Sequence, residues 1–104
     1  MSSSHEALNK MQAWTYITTN KNNTVLYTGV TSNIKSRLEA HKTKKYARSF
    51  TGRYHVDKLV WFLEFNSIID ARDREKQLKA GNRARKGKLI EELNPEWKDL
   101  FETL

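Results

Sequence analysis

A chain of 104 residues has room for one hydrophobic core of ordinary size and not for two. The absence of cysteine excludes disulfides, thiolate metal sites and cysteine nucleophiles, while 38% hydrophobic residues, with three Trp, four Tyr and four Phe, are enough to fold. A formal net charge of +7 points to a polyanionic partner.

The opening, "MSSSHEALNK", is polar and lacks the apolar core of a signal peptide, and no segment approaches the roughly 20 apolar residues of a membrane span. A cytoplasmic protein is expected, with residues 1–11 as a poorly ordered polar extension and 12–104 as one domain. "AWTYITT" (13–19) alternates and is rich in β-branched and aromatic residues, so it reads as a strand. "NKNN" turns the chain, since Asn tolerates left-handed backbone, and "TVLYTG" (24–29) returns as the antiparallel partner. Gly29 would let the chain leave the sheet at a structural turn, and "TSN" (31–33) offers caps for a helix over about 33–45. Ile34, Leu38 and His41 share one face of that helix, with Arg37 at its margin.

Residues 46–57 read as a long basic loop. "KLVWFLEF" (58–65) is apolar enough to be a strand covered on both faces and central in the sheet. Ser67 and Gly81 bracket a helix over about 68–80, whose inward stripe Ile68, Ala71, Leu78 is completed by Glu75. A lone buried carboxylate is costly, so Glu75 needs a cationic partner or a water-filled cleft. A short helix around "KLIEEL" follows, and Asn94 with Pro95 reads as the cap and first turn of a last helix, docked by Trp97, Leu100 or Phe101, and Leu104. The order implies an α+β fold: a small three-stranded antiparallel or mixed sheet flanked by three or more helices.

Two runs, "KTKKYARSFTGR" (42–53) and "KAGNRARKGK" (79–88), hold ten of the nineteen Lys and Arg and no acid. An ordinary solvated surface mixes signs, so this segregation favours phosphate binding over two solubilising loops. The candidate nucleic-acid contacts are Lys42, Lys44, Lys45, Arg48, Arg53, Lys79, Arg83 and Arg85, with Tyr46, Phe50 and Tyr54 available for stacking.

The inward polar positions are Tyr16, Tyr27, Arg37, His41 and Glu75. Singly, each is better explained by packing or by a structural ion pair; together they could converge on one side of the sheet. Phosphodiester hydrolysis needs cations placed before charge develops, and Arg37 is a permanent one.

This ordered set resembles the GIY-YIG nucleases, specifically small stand-alone members related to the nuclease domain of bacterial excision-repair proteins. "TYI" (15–17) sits where the family has its first Tyr, "YTG" (27–29) where it has YIG, and the spacing to Arg37, His41 and Glu75 fits; "REKQLK" and "ELNPEW" also look like the small-protein subfamily. The resemblance implies that Glu75 holds Mg²⁺ or Mn²⁺ and that Arg37 binds the scissile phosphate. Tyr27, or else Tyr16, would assist deprotonation of the attacking water, with His41 as a further proton-transfer or phosphate-contacting group. Thr15 and Thr28 replace the usual Ile of each tripeptide, and Val30 stands where some members carry a lysine. Some members use an asparagine beyond the glutamate, for which Asn82 and Asn94 are candidates.

The expected function is therefore a divalent-metal-dependent endonuclease acting on DNA, RNA not excluded, in a repair or recombination setting. Its rival is a non-catalytic nucleic-acid-binding module with the same fold; a third reading, a protein-interaction domain, would not call for segregated basic charge.

Overall fold

The computed structural model describes residues 12–42 and 55–104. The extension 1–11, the cations Lys44, Lys45, Arg48 and Arg53, and the aromatics Tyr46, Phe50 and Tyr54 lie outside the described residues. In chain order the elements are β1 (Ala13–Thr19), β2 (Leu26–Thr31), α1 (Ile34–Lys42), β3 (Lys58–Phe65), α2 (Ile68–Ala80), α3 (Arg83–Leu93) and a 3₁₀ turn (Leu100–Thr103). The fold is α+β, as the order of elements predicts, and its sheet is antiparallel throughout in the order β2-β1-β3. No described helix is long and apolar enough to cross a membrane.

The hairpin turns as its asparagines suggest. Asn23 adopts the left-handed conformation at φ 59°, and the Asn20 side chain accepts hydrogen bonds from the amides of Thr24 and Val25 while donating to the Thr24 hydroxyl. Arg83, at the start of α3, donates its guanidinium to the carbonyls of Asn23 and Thr24 and so fastens the hairpin to the helix.

The central strand is β1, not β3 as the apolar run 58–65 implied. Every residue from Thr15 to Thr19 is buried, and two of the three threonines find internal acceptors: Thr15 donates to the Ala71 carbonyl at 2.7 Å and Thr19 to that of Val25 at 2.7 Å. Strand β3 lies at the edge. Leu59, Val60 and Trp61 are buried, but Leu63 is 44% exposed. The C-terminal segment covers the free edge: Asp99 accepts from the Leu59 amide at 3.1 Å, and Asn94 donates to the Val60 carbonyl at 3.1 Å. Occupying those backbone groups removes a template for strand addition.

That segment is not the helix read from "NPEWKDLFETL". Asn94 is the C-cap of α3, and its buried side chain bridges Val60 to the amide and carbonyl of Lys98; Asp99 caps only the 3₁₀ turn. Leu100, Phe101 and Leu104 still dock on the core beside Tyr16, Ile34, Leu38 and Leu59, while Trp97 packs on the second cluster of Ile17, Val60, Trp61, Leu78 and Ile90. Helix α3 also begins five residues earlier than the apolar pattern suggests, because Asn82 caps it by accepting from the Arg85 amide at 2.9 Å.

Gly29 is inside β2, not at a turn. It pairs directly with Tyr16 and has no positive φ; what it supplies is space, since a Cβ there would stand 2.6 Å from both Cζ and the hydroxyl of Tyr16. Gly29→Ala forces the buried Tyr16 ring to move. Overpacking outweighs the gain from a stiffer unfolded chain, so the variant should lose about 1–2 kcal/mol and melt several degrees lower. Thermal unfolding checks this, and a variant as stable as wild type would show that the ring is not held by this contact.

Candidate active site

The strand pairing that sets Tyr16 against Gly29 also brings Tyr27 near it, with ring centroids 6.3 Å apart. Helix α1 is anchored by Asn33, whose side chain accepts from the Ser36 amide at 3.1 Å. Its inward face delivers His41 against both tyrosines, at 6.3 Å from Tyr16 and 6.4 Å from Tyr27. Helix α2 starts at Ser67, which accepts from the Asp70 amide at 3.1 Å, and is tied to the central strand by Thr15 through Ala71, one turn before Glu75.

Between these elements lies a cleft of about 370 Å³ lined by Tyr16, Tyr27, Arg37, Arg72 and Glu75, with Thr31 and Ser32 at its side. The structure thus gathers four of the five predicted site residues. Tyr16 is only 2% exposed and Tyr27 is half-buried, so Tyr27 offers the more accessible hydroxyl. Glu75 meets both conditions its burial sets: it borders the cleft, and Lys79 pairs with it at 3.0 Å one turn on. Its side chain is 22% exposed, open enough for an oxygen to be shared with a ligand.

His41 is the residue the cleft leaves out. It is buried behind the tyrosines and does not line the cavity. Burial, and then the nearby Arg37 charge, hold its pKa below the ordinary value of about 6.5, only partly countered by the Val56 backbone and Asp57. At neutral pH it is an uncharged ring, suited to packing and positioning the tyrosines.

Arg72 is the lining residue that the sequence reading missed. It sits three residues before Glu75 on one helix face, and that spacing was a usable signal. Val30 also lines the cleft, so Arg37 and Arg72 supply its cations. Among the described residues no three His, Asp or Glu side chains cluster as a closed metal cage. One carboxylate among hydroxyls and arginines fits a hard divalent cation that keeps most of its water, and Glu75 is the residue that would hold it.

Of the predicted nucleic-acid contacts, Lys42 is engaged inside the fold, bonded to Asp99 at 2.5 Å and to the Asp57 carbonyl at 3.1 Å, with Phe101 beneath it. Lys79 is held by Glu75 and Arg83 by the hairpin, whereas Arg85 remains exposed on α3. Asn82 and Asn94 are both accounted for as caps.

The lowered His41 pKa sets a sign for stability. Just below about pH 6.5 the unfolded chain takes up the proton before the folded one does, so acidification costs stability until folded His41 also protonates. Urea melts of wild type and His41→Gln between about pH 8 and about pH 5 should show the wild type losing the more stability toward acid. Parallel curves would contradict this.

Residues 12–88 match the family model described as the GIY-YIG catalytic domain. A UPF0213 protein of Syntrophus aciditrophicus is 41% identical over 71 residues, spanning 68% of this chain and 80% of its own. The UPF0213 protein SH2523 of Staphylococcus haemolyticus is 38% identical over 79 residues, 76% and 94% of the two chains. The solution structure of the UPF0213 protein BH0048 of Bacillus halodurans superposes with a TM-score of 0.55 at 26% identity, covering 86% of this chain and 93% of that one. The matched domain is the catalytic domain of a nuclease superfamily, and the chain belongs to the GIY-YIG family as one of its small UPF0213 members.

Proposed function

We propose that this protein is an endonuclease that hydrolyses phosphodiester bonds, with DNA as its substrate and Mg²⁺ or Mn²⁺ as its cofactor. The observation that carries the reading is the cleft itself: four elements bring two tyrosines, two arginines and one carboxylate to a single solvent-open cavity. A packed structural network has no need of that opening, whereas a phosphate does.

In this reading Arg37 and Arg72 hold the non-bridging oxygens of the scissile phosphate and take up the charge that grows there as water attacks. A divalent cation on Glu75 would supply Lewis acidity and further positive charge. Tyr27 orients the water and relays its proton, taking it on the phenolic oxygen as the phenol's own proton passes to solvent in the open cleft; Tyr16, fixed over Gly29, holds Tyr27 and the phosphate in register. The water oxygen forms the new bond to phosphorus, the bond to the leaving sugar oxygen breaks, and that oxygen takes a proton from water in the open cleft to leave as a hydroxyl. His41, neutral and behind the tyrosines, positions them and carries no proton in the step. A single small site cuts one strand per encounter, which suits a role in repair or recombination in the cytoplasm.

The test is cleavage of labelled single-stranded, duplex and branched DNA and RNA with Mg²⁺, Mn²⁺ or EDTA. Wild type should cut with metal only. Glu75→Ala should abolish cutting, and Arg37→Ala should slow it by roughly 10²-fold or more. Undiminished cutting by Glu75→Ala would remove the carboxylate from the mechanism. Binding without cutting by every form would return the protein to the binding-module reading.

A further inference from the structure

On the far flank of α2 lies a second groove, about 450 Å³, between α2 and α3. Arg74 and Gln77 reach it from α2, Arg85 and Lys86 from α3, and its apolar floor includes Leu78 and Leu89. Three cations thus face one cavity, and no acidic residue lines it. Among the described residues neither Arg85 nor Lys86 has an ion-pair partner. Arg74 is held in place over the Trp61 ring at 5.9 Å and by Gln77 at 3.0 Å, while its buried Nε has no hydrogen-bond acceptor.

Local stability does not account for this arrangement. The three cations repel one another, and the first turn of α3, where the helix dipole favours acids, holds none and carries Arg83, Arg85 and Lys86 instead. An anion in the groove would reverse both penalties. Geometry sets it apart from the cleft: at 3.6 residues per turn, Arg74, Gln77 and Leu78 lie about 130° around α2 from Ile68, Arg72 and Glu75. The buried Ala71 lies between the two sites.

We infer that this groove is a second binding site for the phosphodiester backbone of a nucleic acid, contacted by Arg74, Arg85 and Lys86. The inference rests on the nuclease reading for its choice of polyanion. With phosphate sites on both flanks of one helix of about 10–12 Å diameter, the fitting substrate is a bent or branched nucleic acid whose two segments lie on either side of α2.

The test uses the full chain in EDTA, so that nothing is cut, with a fluorescent three-way DNA junction and its RNA counterpart as probes. The double variant Arg85→Gln/Lys86→Gln is compared with a pair removing the same charge elsewhere, Lys21→Gln/Lys35→Gln, both exposed. The groove pair should weaken binding about tenfold or more and lower the slope of log affinity against log salt by about 1.5–2, the control pair by less than half as much. Arg85→Lys/Lys86→Arg, which keeps the charge, should stay near wild type. Equal effects of the two charge-removing pairs, an unchanged groove pair, or no binding by wild type would each overturn the site. If the slope changes as expected but wild type cuts no substrate, the groove stands and the nuclease reading falls. Normal metal-dependent cutting with an unchanged slope would mean the reverse.

Discussion

The site depends on one close approach: the ring of Tyr16 lying over Gly29 across the β1–β2 pair. Only a residue without a side chain permits it. The same stretch of β1 serves both faces of the sheet, because successive strand residues point opposite ways. Thr15 turns one way and bonds the Ala71 carbonyl, holding α2 and therefore Glu75; Tyr16 turns the other way and meets Tyr27 and His41. Two adjacent residues of the central strand thus set the register between the carboxylate and the tyrosines. Thr15 replaces the usual Ile of the family's first tripeptide, and an isoleucine could not make that bond.

Charge is distributed on a similar economy. Three of the nineteen Lys and Arg fasten the fold: Lys42 joins α1 to Asp99, Arg83 joins α3 to the hairpin, and Lys79 faces Glu75. Exposed pairs of this kind contribute little singly, but Asp99 also accepts two backbone amides and so organises the covered edge of β3. The Glu75 pair has a second consequence. Lys79 pairs with the carboxylate at 3.0 Å, and it is the group with which a divalent cation on Glu75 would have to compete.

What could be read from the sequence follows from the range over which each signal acts. The hairpin, β3 and α2 carry their signals locally, in Asn turns, an apolar run, and Ser67 with Gly81; β1, β3 and α2 keep their expected bounds, while β2 runs Leu26–Thr31, two residues further along than 24–29. The order of strands does not, because burial of an apolar run shows that both faces are covered and says nothing about pairing. The true centre, β1, was disguised by its threonines, two of which, Thr15 and Thr19, find their acceptors only in the folded chain. Asn94 misled for a related reason. An Asn-Pro pair reads as a helix start, yet its amide serves long-range contacts to Val60 and Lys98 that no local pattern encodes. Within the site, Tyr16, Tyr27, Arg37 and Glu75 were legible as a set, His41 lies against both tyrosines but does not line the cleft, and Arg72 was hidden among the charges of "ARDREK".

The central claim is that Glu75 makes the tyrosine cleft a divalent-cation site. Paramagnetic relaxation by Mn²⁺ in a two-dimensional NMR spectrum tests it most directly, independently of any substrate. The account predicts that substoichiometric Mn²⁺ first broadens the amides of Thr31, Ser32, Arg72 and Glu75, and that Glu75→Gln abolishes this pattern. Broadening centred elsewhere, on Glu91 and Glu92 for example, or a pattern that survives the substitution, would contradict it.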